Sequence, residues 1–182
     1  SRGLGDVYKR QIQTRDGGYI LAGYSNSPES GNKTEKRYGQ GDYFIVKLDK
    51  DGNTEWQKAY GGDGDDQPYA LLESHDGNFV IAGNSNSGTT GNKNSSNKKG
   101  TDFWMLKIDA SGEILWQETY DIGNVDLLTS LVENKDHSLL LGGYAQSETM
   151  GTKKKDKEGI NDYVVIKTDE NGEEKWRQHA GS

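Results

Sequence analysis

Cysteine is absent from all 182 residues. That rules out a disulfide framework and any thiolate metal centre. Apolar residues make up only 30% of the chain, and no run of them approaches the roughly 20 residues that a membrane-crossing helix needs. Positive charge is also in deficit, with 22 Lys and Arg against 29 Asp and Glu and a formal net charge of −7. Nonspecific nucleic-acid binding depends on a basic footprint, so no nucleic-acid partner is expected. Scarce hydrophobicity favours disorder, but here the apolar residues gather in short runs (YFIV, FWML, YVVI) at regular intervals. Those runs have something to pack against.

What is present is a repeat. Trp56, Trp116 and Trp176 recur with a period of 60, as do Asp42, Asp102 and Asp162, Asp16, Asp76 and Asp136, Gly23, Gly83 and Gly143, and the loop glycines Gly31, Gly91 and Gly151. Self-similarity at a period of this size points to solenoids, propellers or arrays. The match holds from Ile12 onward and fails in the opening segment 1–11, SRGLGDVYKRQ. That opening resembles the adapter-derived read-through found at the ends of reading frames from metagenomic assemblies, and it is expected to be a non-native leader. It carries three basic residues and one acid, so the repeats alone stand near −9. Three units follow, 12–62, 63–122 and 123–182.

The second unit lays out the strands. YALLES (69–74) and FVIAGNS (79–85) flank an Asp76-Gly77 pair, a strong hairpin signal that predicts a type I′ turn with φ > 0 at both central residues. A polar stretch leads to DFWMLKID (102–109), and a tight turn leads on to ILWQETY (114–120). The third strand is a nearly continuous apolar run in every copy, as expected of a strand buried on both faces. The chain is therefore expected to be all-β, a β-propeller fragment of three four-stranded antiparallel blades, one blade per repeat. Three blades leave two open edges, so further blades of the same chain are expected.

The stretch GDYFIVKLDKDGNTEWQKAYGGDGDD, together with the DGGYILAGYSNS strand, resembles the propeller-like repeats of large secreted or surface proteins of Bacteroidetes, many of which end in a type IX secretion sorting domain. The resemblance covers residues 12–182 and implies an extracellular or cell-surface location. More locally, the segments leading to Trp56, Trp116 and Trp176, each four residues after Gly52, Gly112 or Gly172, resemble the tryptophan-docking repeats of quinoprotein-like propellers. The spacing before the glycine and the Thr-Gly pair of that family are not kept. The resemblance therefore implies tryptophan packing between blades and no quinone; no cofactor is expected.

Motifs for chemistry are few. Asp49 to Asn53 resembles a calcium loop, but its glycine falls too early for an EF-hand, and a turn held by Asp/Asn side chains accounts for all three copies. His75 and His137 sit in first-hairpin turns and His179 ends the last strand, so the histidines form no catalytic set, and no nucleophile elbow, phosphate loop or HExxH is present. In an up-and-down blade the long loops 27–41, 87–101 and 147–161 share one face with the acidic connectors 61–67 and 121–126. Variable loops on a rigid scaffold commonly carry function. Binding is therefore expected there, through Lys33, Lys36, Arg37, Lys93, Lys98, Lys99, Lys153, Lys154 and Lys155 in the loops and Asp63, Asp65 and Asp66 in the connector. The expected function is non-enzymatic interaction or scaffolding with a protein or polysaccharide partner. The alternative is part of a propeller-based hydrolase or glycan-active enzyme whose site lies in other blades.

Overall fold

The structure, a computed structural model, describes residues 6–29, 31, 33–95, 100–123, 125–146 and 161–180. Among them the regular elements are twelve strands, with no helix. The first sheet holds β1 (Asp6–Gln13), β2 (Tyr19–Ser25), β3 (Asp42–Leu48) and β4 (Thr54–Tyr60). The second holds β5 (Asp66–Glu73), β6 (Phe79–Ser85), β7 (Asp102–Ile108) and β8 (Ile114–Tyr120). The third holds β9 (Val125–Glu133), β10 (Leu139–Gln146), β11 (Asn161–Thr168) and β12 (Glu174–Ala180). Each sheet is an antiparallel meander in chain order. β1 lies beside β5 and β5 beside β9, which puts the first strands on the inner side of the stack, as in consecutive propeller blades.

Residues 6–11, expected to be foreign, run as part of β1, with Asp6 opposite Ser25. This pairing joins backbone to backbone and places little demand on side-chain identity.

Each first strand carries one bulged residue. The register slips past Lys9 in β1, past Tyr69 in β5 and past Thr129 in β9. Opposite the slip lies the repeat glycine: Tyr8 faces Gly23, Pro68 faces Gly83 and Leu128 faces Gly143. A Cβ on Gly83 would lie 2.0 Å from the Gln67 carbonyl and 2.6 Å from the Tyr43 hydroxyl. On Gly143 it would meet the Leu127 carbonyl at 2.3 Å and the Phe103 ring at 2.5 Å. At Gly83 and Gly143 the bulge and the neighbouring sheet both close on the glycine.

The expected hairpin between β5 and β6 is formed, but its turn is not type I′. Gly77 N donates to Ser74 O at 2.9 Å and Ser74 N to Asn78 O at 2.8 Å, and of the turn residues only Gly77 has positive φ. This is a type I turn closed by a left-handed glycine, the three-residue hairpin loop. Asp76 does not have positive φ, and its carboxylate accepts from the Asn78 N–H at 3.1 Å.

The middle sheet divides its side chains between two cores. Phe79, Ile81, Trp104 and Leu106 pack with Ile20, Tyr43, Ile45 and Tyr60 of the first sheet, while Val80, Ala82, Phe103 and Met105 pack with Leu128, Leu139, Leu141, Val164 and Ile166 of the third. The expectation of a doubly buried third strand holds along β7, where every residue is buried. It fails in β11, where Val164 and Ile166 are fully buried and Tyr163 is 70% exposed.

Candidate functional site

The connector between the first two sheets meets the long loop of the second, as the strand directions require. Gly61 N donates to Asn92 Oδ1 at 2.9 Å, Asp63 N to Thr90 Oγ1 at 2.7 Å, Gly64 N to Ser87 Oγ at 2.9 Å and Asp65 N to Asn86 Oδ1 at 2.6 Å. Asn92 N returns a bond to Gly61 O at 3.2 Å. Glycine at 61, 62 and 64 lets the backbone approach this closely; a Cβ on Gly64 would lie 2.2 Å from the Asn86 side chain.

The connector acids are all engaged, Asp63 and Asp66 with this loop and Asp65 with the first sheet and β5. Asp63 accepts from Thr90 Oγ1 at 2.9 Å and Gly88 N at 3.0 Å, and those bonds hold its carboxyl below the usual range. Asp65 accepts from Tyr24 Oη at 2.6 Å and Gln67 Nε2 at 2.7 Å. Burial first, then that charged acceptor, pushes the Tyr24 phenol up to about 12. Asp66 is fully buried and accepts from Ser87 Oγ at 2.7 Å and Gly62 N at 2.9 Å.

The lysines divide into two groups. Lys33 and Lys93, expected on a solvent-facing surface, are instead buried, with 8% and 2% exposure. Lys33 Nζ donates to Ser25 Oγ at 2.5 Å and Ser27 O at 2.6 Å and lies 5.2 Å from the Phe44 ring centre. Lys93 Nζ donates to Ser87 O at 3.2 Å and Ser95 O at 2.5 Å and lies 5.7 Å from the Trp104 ring. Each closes its own loop over an aromatic ring. Lys36 and Arg37 do face solvent, and Arg37 also donates to Asn26 O at 2.9 Å. Lys98, Lys99, Lys153, Lys154 and Lys155 lie outside the described residues.

Beneath this face lie two buried carboxylates. A Cβ on Gly61 would stand 2.2 Å from Asp42 and 2.7 Å from Asp66, so both line the same narrow space. Asp42 is 1% exposed and accepts from Tyr38 N at 2.8 Å. Desolvation outweighs that bond and, with the Asp66 charge adding to it, raises Asp42 to about 6.

The opposite face carries the tight turns. Asp16, Asp76 and Asp136 each take an ion pair from the third strand, from Lys47 at 2.9 Å, Lys107 at 2.7 Å and Lys167 at 3.0 Å. Asp49 Oδ1 caps Asp51 N at 2.9 Å and Asn53 N at 2.8 Å, and Asp109 and Asp169 cap their turns likewise. The turns also clasp the next sheet: Arg15 N donates to Glu73 at 2.9 Å and His75 N to Glu133 at 3.0 Å. Trp56 Nε1 donates to Ala110 O at 2.9 Å, and the Trp116 ring packs on Gly172.

Sequence reasoning passed over Ser87, Thr90 and Asn92, polar loop residues whose side chains accept the connector's backbone N–H groups. It also left His75 and His137 apart. Their rings are stacked, with centres 3.5 Å apart.

The fold and this face define a run of propeller-like blades, three four-stranded antiparallel sheets in series. No protein-family model and no curated protein matches the chain. No helix among the described residues is long and apolar enough to cross a membrane.

Proposed function

We propose that this chain is a non-enzymatic interaction segment of a larger β-propeller, presenting its loop-rich face to a protein or polysaccharide partner. The observation that carries the reading is the commitment of the Asp63 and Asp66 carboxylates, and of the Asp65 backbone, to holding the 86–92 loop, which makes the face a rigid display surface. Lys36 and Arg37 are the described basic loop residues left facing outward. The raised Asp42 carboxyl does not favour acid–base chemistry, because at 1% exposure no substrate reaches it.

Under this reading further blades flank the chain. Trp176 supports this: it is 43% exposed, whereas Trp56 and Trp116 dock on the sheet that follows each of them. A secreted or cell-surface setting, and kinship with the Bacteroidetes repeat proteins, belong to the same proposal and rest on the sequence resemblance.

The test is binding of the chain to arrays of acidic and neutral polysaccharides at low and high salt, alongside a Lys36→Ser/Arg37→Ser variant. The expected result is salt-sensitive binding to an acidic glycan that the variant weakens. The absence of binding to every polysaccharide in the array, and to every protein in a parallel protein array, would leave only a spacer role and overturn the proposal.

A further inference from the structure

The tight-turn face holds a cluster that the interaction reading does not use. His75 lies in the β5–β6 turn, Glu133 ends β9, and His137 lies in the β9–β10 turn. His75 Nδ1 stands 2.7 Å from Glu133 Oε1, and His137 Nδ1 stands 3.9 Å from the same oxygen. One ligand atom from each of the three residues falls within 4.8 Å of the others. The Glu133 carboxylate is anchored by the His75 backbone N–H at 3.0 Å, so it is presented to both rings in a fixed position.

The equivalent junction one blade earlier makes a useful contrast. There Glu73 takes Arg15, through its backbone N–H at 2.9 Å and its guanidinium at 3.9 Å, and the position matching His137 is Gly77. That junction is formed without any histidine ring on the acid. At the second junction the arginine is replaced by His75 and the glycine by His137. His137 is the one non-glycine residue with positive φ among the described residues, at 65°, where Gly17 and Gly77 have 87° and 80°. A side chain at a left-handed position carries backbone strain that glycine avoids. The interface does not require this histidine, and its placement beside His75 and Glu133 completes a set of two imidazoles and one carboxylate.

We propose that His75, Glu133 and His137 form a binding site for a zinc-class divalent cation, joining the second and third sheets on the tight-turn face. Two imidazole nitrogens and one carboxylate oxygen suit a borderline transition metal, with water at the remaining position, whereas calcium and magnesium prefer all-oxygen shells. Metal–ligand distances of about 2.0–2.2 Å require the stacked rings to turn so that their in-plane lone pairs converge. The His75 and His137 side chains, 35% and 48% exposed, have room to do so, while Glu133 at 16% stays fixed. Because the ligands come from two sheets, the metal acts as a staple between them and stabilises the folded state by mass action.

The test is calorimetric titration of the whole chain with Zn2+, followed by thermal unfolding with and without the metal. One saturable equivalent and a raised midpoint are expected. His137→Gly installs the residue that the other two turns carry, so it keeps the fold, verified by circular dichroism. It is expected to lose at least about tenfold in Zn2+ affinity, the lower end of what loss of even an outer-shell partner costs. Glu133→Gln, which preserves shape, is expected to lose the metal-dependent rise in midpoint. Nitrogen-detected NMR of the imidazoles adds a second readout: Zn2+ should shift His75 and His137 and leave His179 unmoved. Undiminished binding in His137→Gly, or a Zn2+ response centred on His179, overturns the proposal, as does the absence of saturable binding to the unaltered chain.

Discussion

The Tyr60 hydroxyl donates a 2.7 Å hydrogen bond to the carbonyl of Gly112, which lies in the turn of the next sheet. One interface further on, Tyr120 does the same to Gly172 at 2.6 Å. Both tyrosines are nearly fully buried, so each bond is made away from water and each carbonyl has its partner at the sheet junction. Tyr60→Phe and Tyr120→Phe are each expected to cost about 1–3 kcal/mol, because a buried acceptor is left unpaired. The double variant is expected near the sum, since the two bonds lie at different interfaces. Urea unfolding monitored by tryptophan fluorescence measures both; unchanged midpoints would contradict the buried geometry.

Gly83→Ala is expected to destabilise the chain by about 1–3 kcal/mol through overpacking. The new methyl meets backbone at Gln67 and Pro68 and the Tyr43 hydroxyl of the neighbouring sheet. Gly52→Ala is the informative companion, because nothing lies within 4 Å of its Cβ and only its positive φ of 84° opposes the change. A loss in Gly83→Ala caused by clash should come with altered near-ultraviolet circular dichroism, which the Gly52 variant leaves intact.

Two kinds of carboxylate give opposite pH dependences. Asp42 has its folded pKa raised to about 6 from 3.8, so the folded state holds the proton more tightly. Its contribution is full below about pH 4 and is lost as the pH rises through about 6, on the order of 3 kcal/mol in all. The difference in unfolding free energy between the unaltered chain and Asp42→Asn is therefore expected to fall between pH 4 and 7. Asp16 behaves in the reverse sense: hydrogen bonds from Thr14 and Lys47 lower it to about 2, so its stabilisation is present above about pH 4 and lost as the pH falls through 2. Asp16→Asn should reproduce that loss at neutral pH. A flat Asp42 difference curve would rule out the buried, desolvated state of that carboxylate.

Trp176 is expected to dominate collisional quenching of fluorescence. It is 43% exposed, while Trp104 is fully buried. Trp176→Phe should remove the most acrylamide-accessible component. A chain extended by one more repeat unit should protect Trp176 if a fourth sheet docks there; equal quenching in both chains would contradict that.

Much of the fold was legible because the repeat made each assignment three times over. Strands β6 and β8 coincide with the FVIAGNS and ILWQETY segments read from the sequence, since apolar residues following glycine-containing turns are local signals. The bulge in β5 was not legible. It arises from how the inner strand meets Gly83 and the adjacent sheet, and a pattern of period 2 contains no mark for an extra residue.

At the candidate site the sequence held a signal that charge counting passed over. Lys33 and Lys93 recur at the repeat interval, whereas Lys36 and Arg37 correspond to Ser96 and Asn97. The recurring lysines proved structural, and the non-recurring pair faces solvent. A residue locked to the repeat serves the blade, because each blade solves the same packing problem; one free of the repeat is free of that constraint.

The all-β class, the repeat unit, the strand order and the sharing of one face by loops and connectors could all be read from the chain alone, because each follows from local periodicity and strand direction. Which charges are buried, why glycine stands at 83 and 143, and that His75 and His137 meet became clear only once the sheets were packed. Those outcomes depend on distances between sheets. Such distances are set by side chains about one repeat apart closing on one another, and no local pattern encodes them.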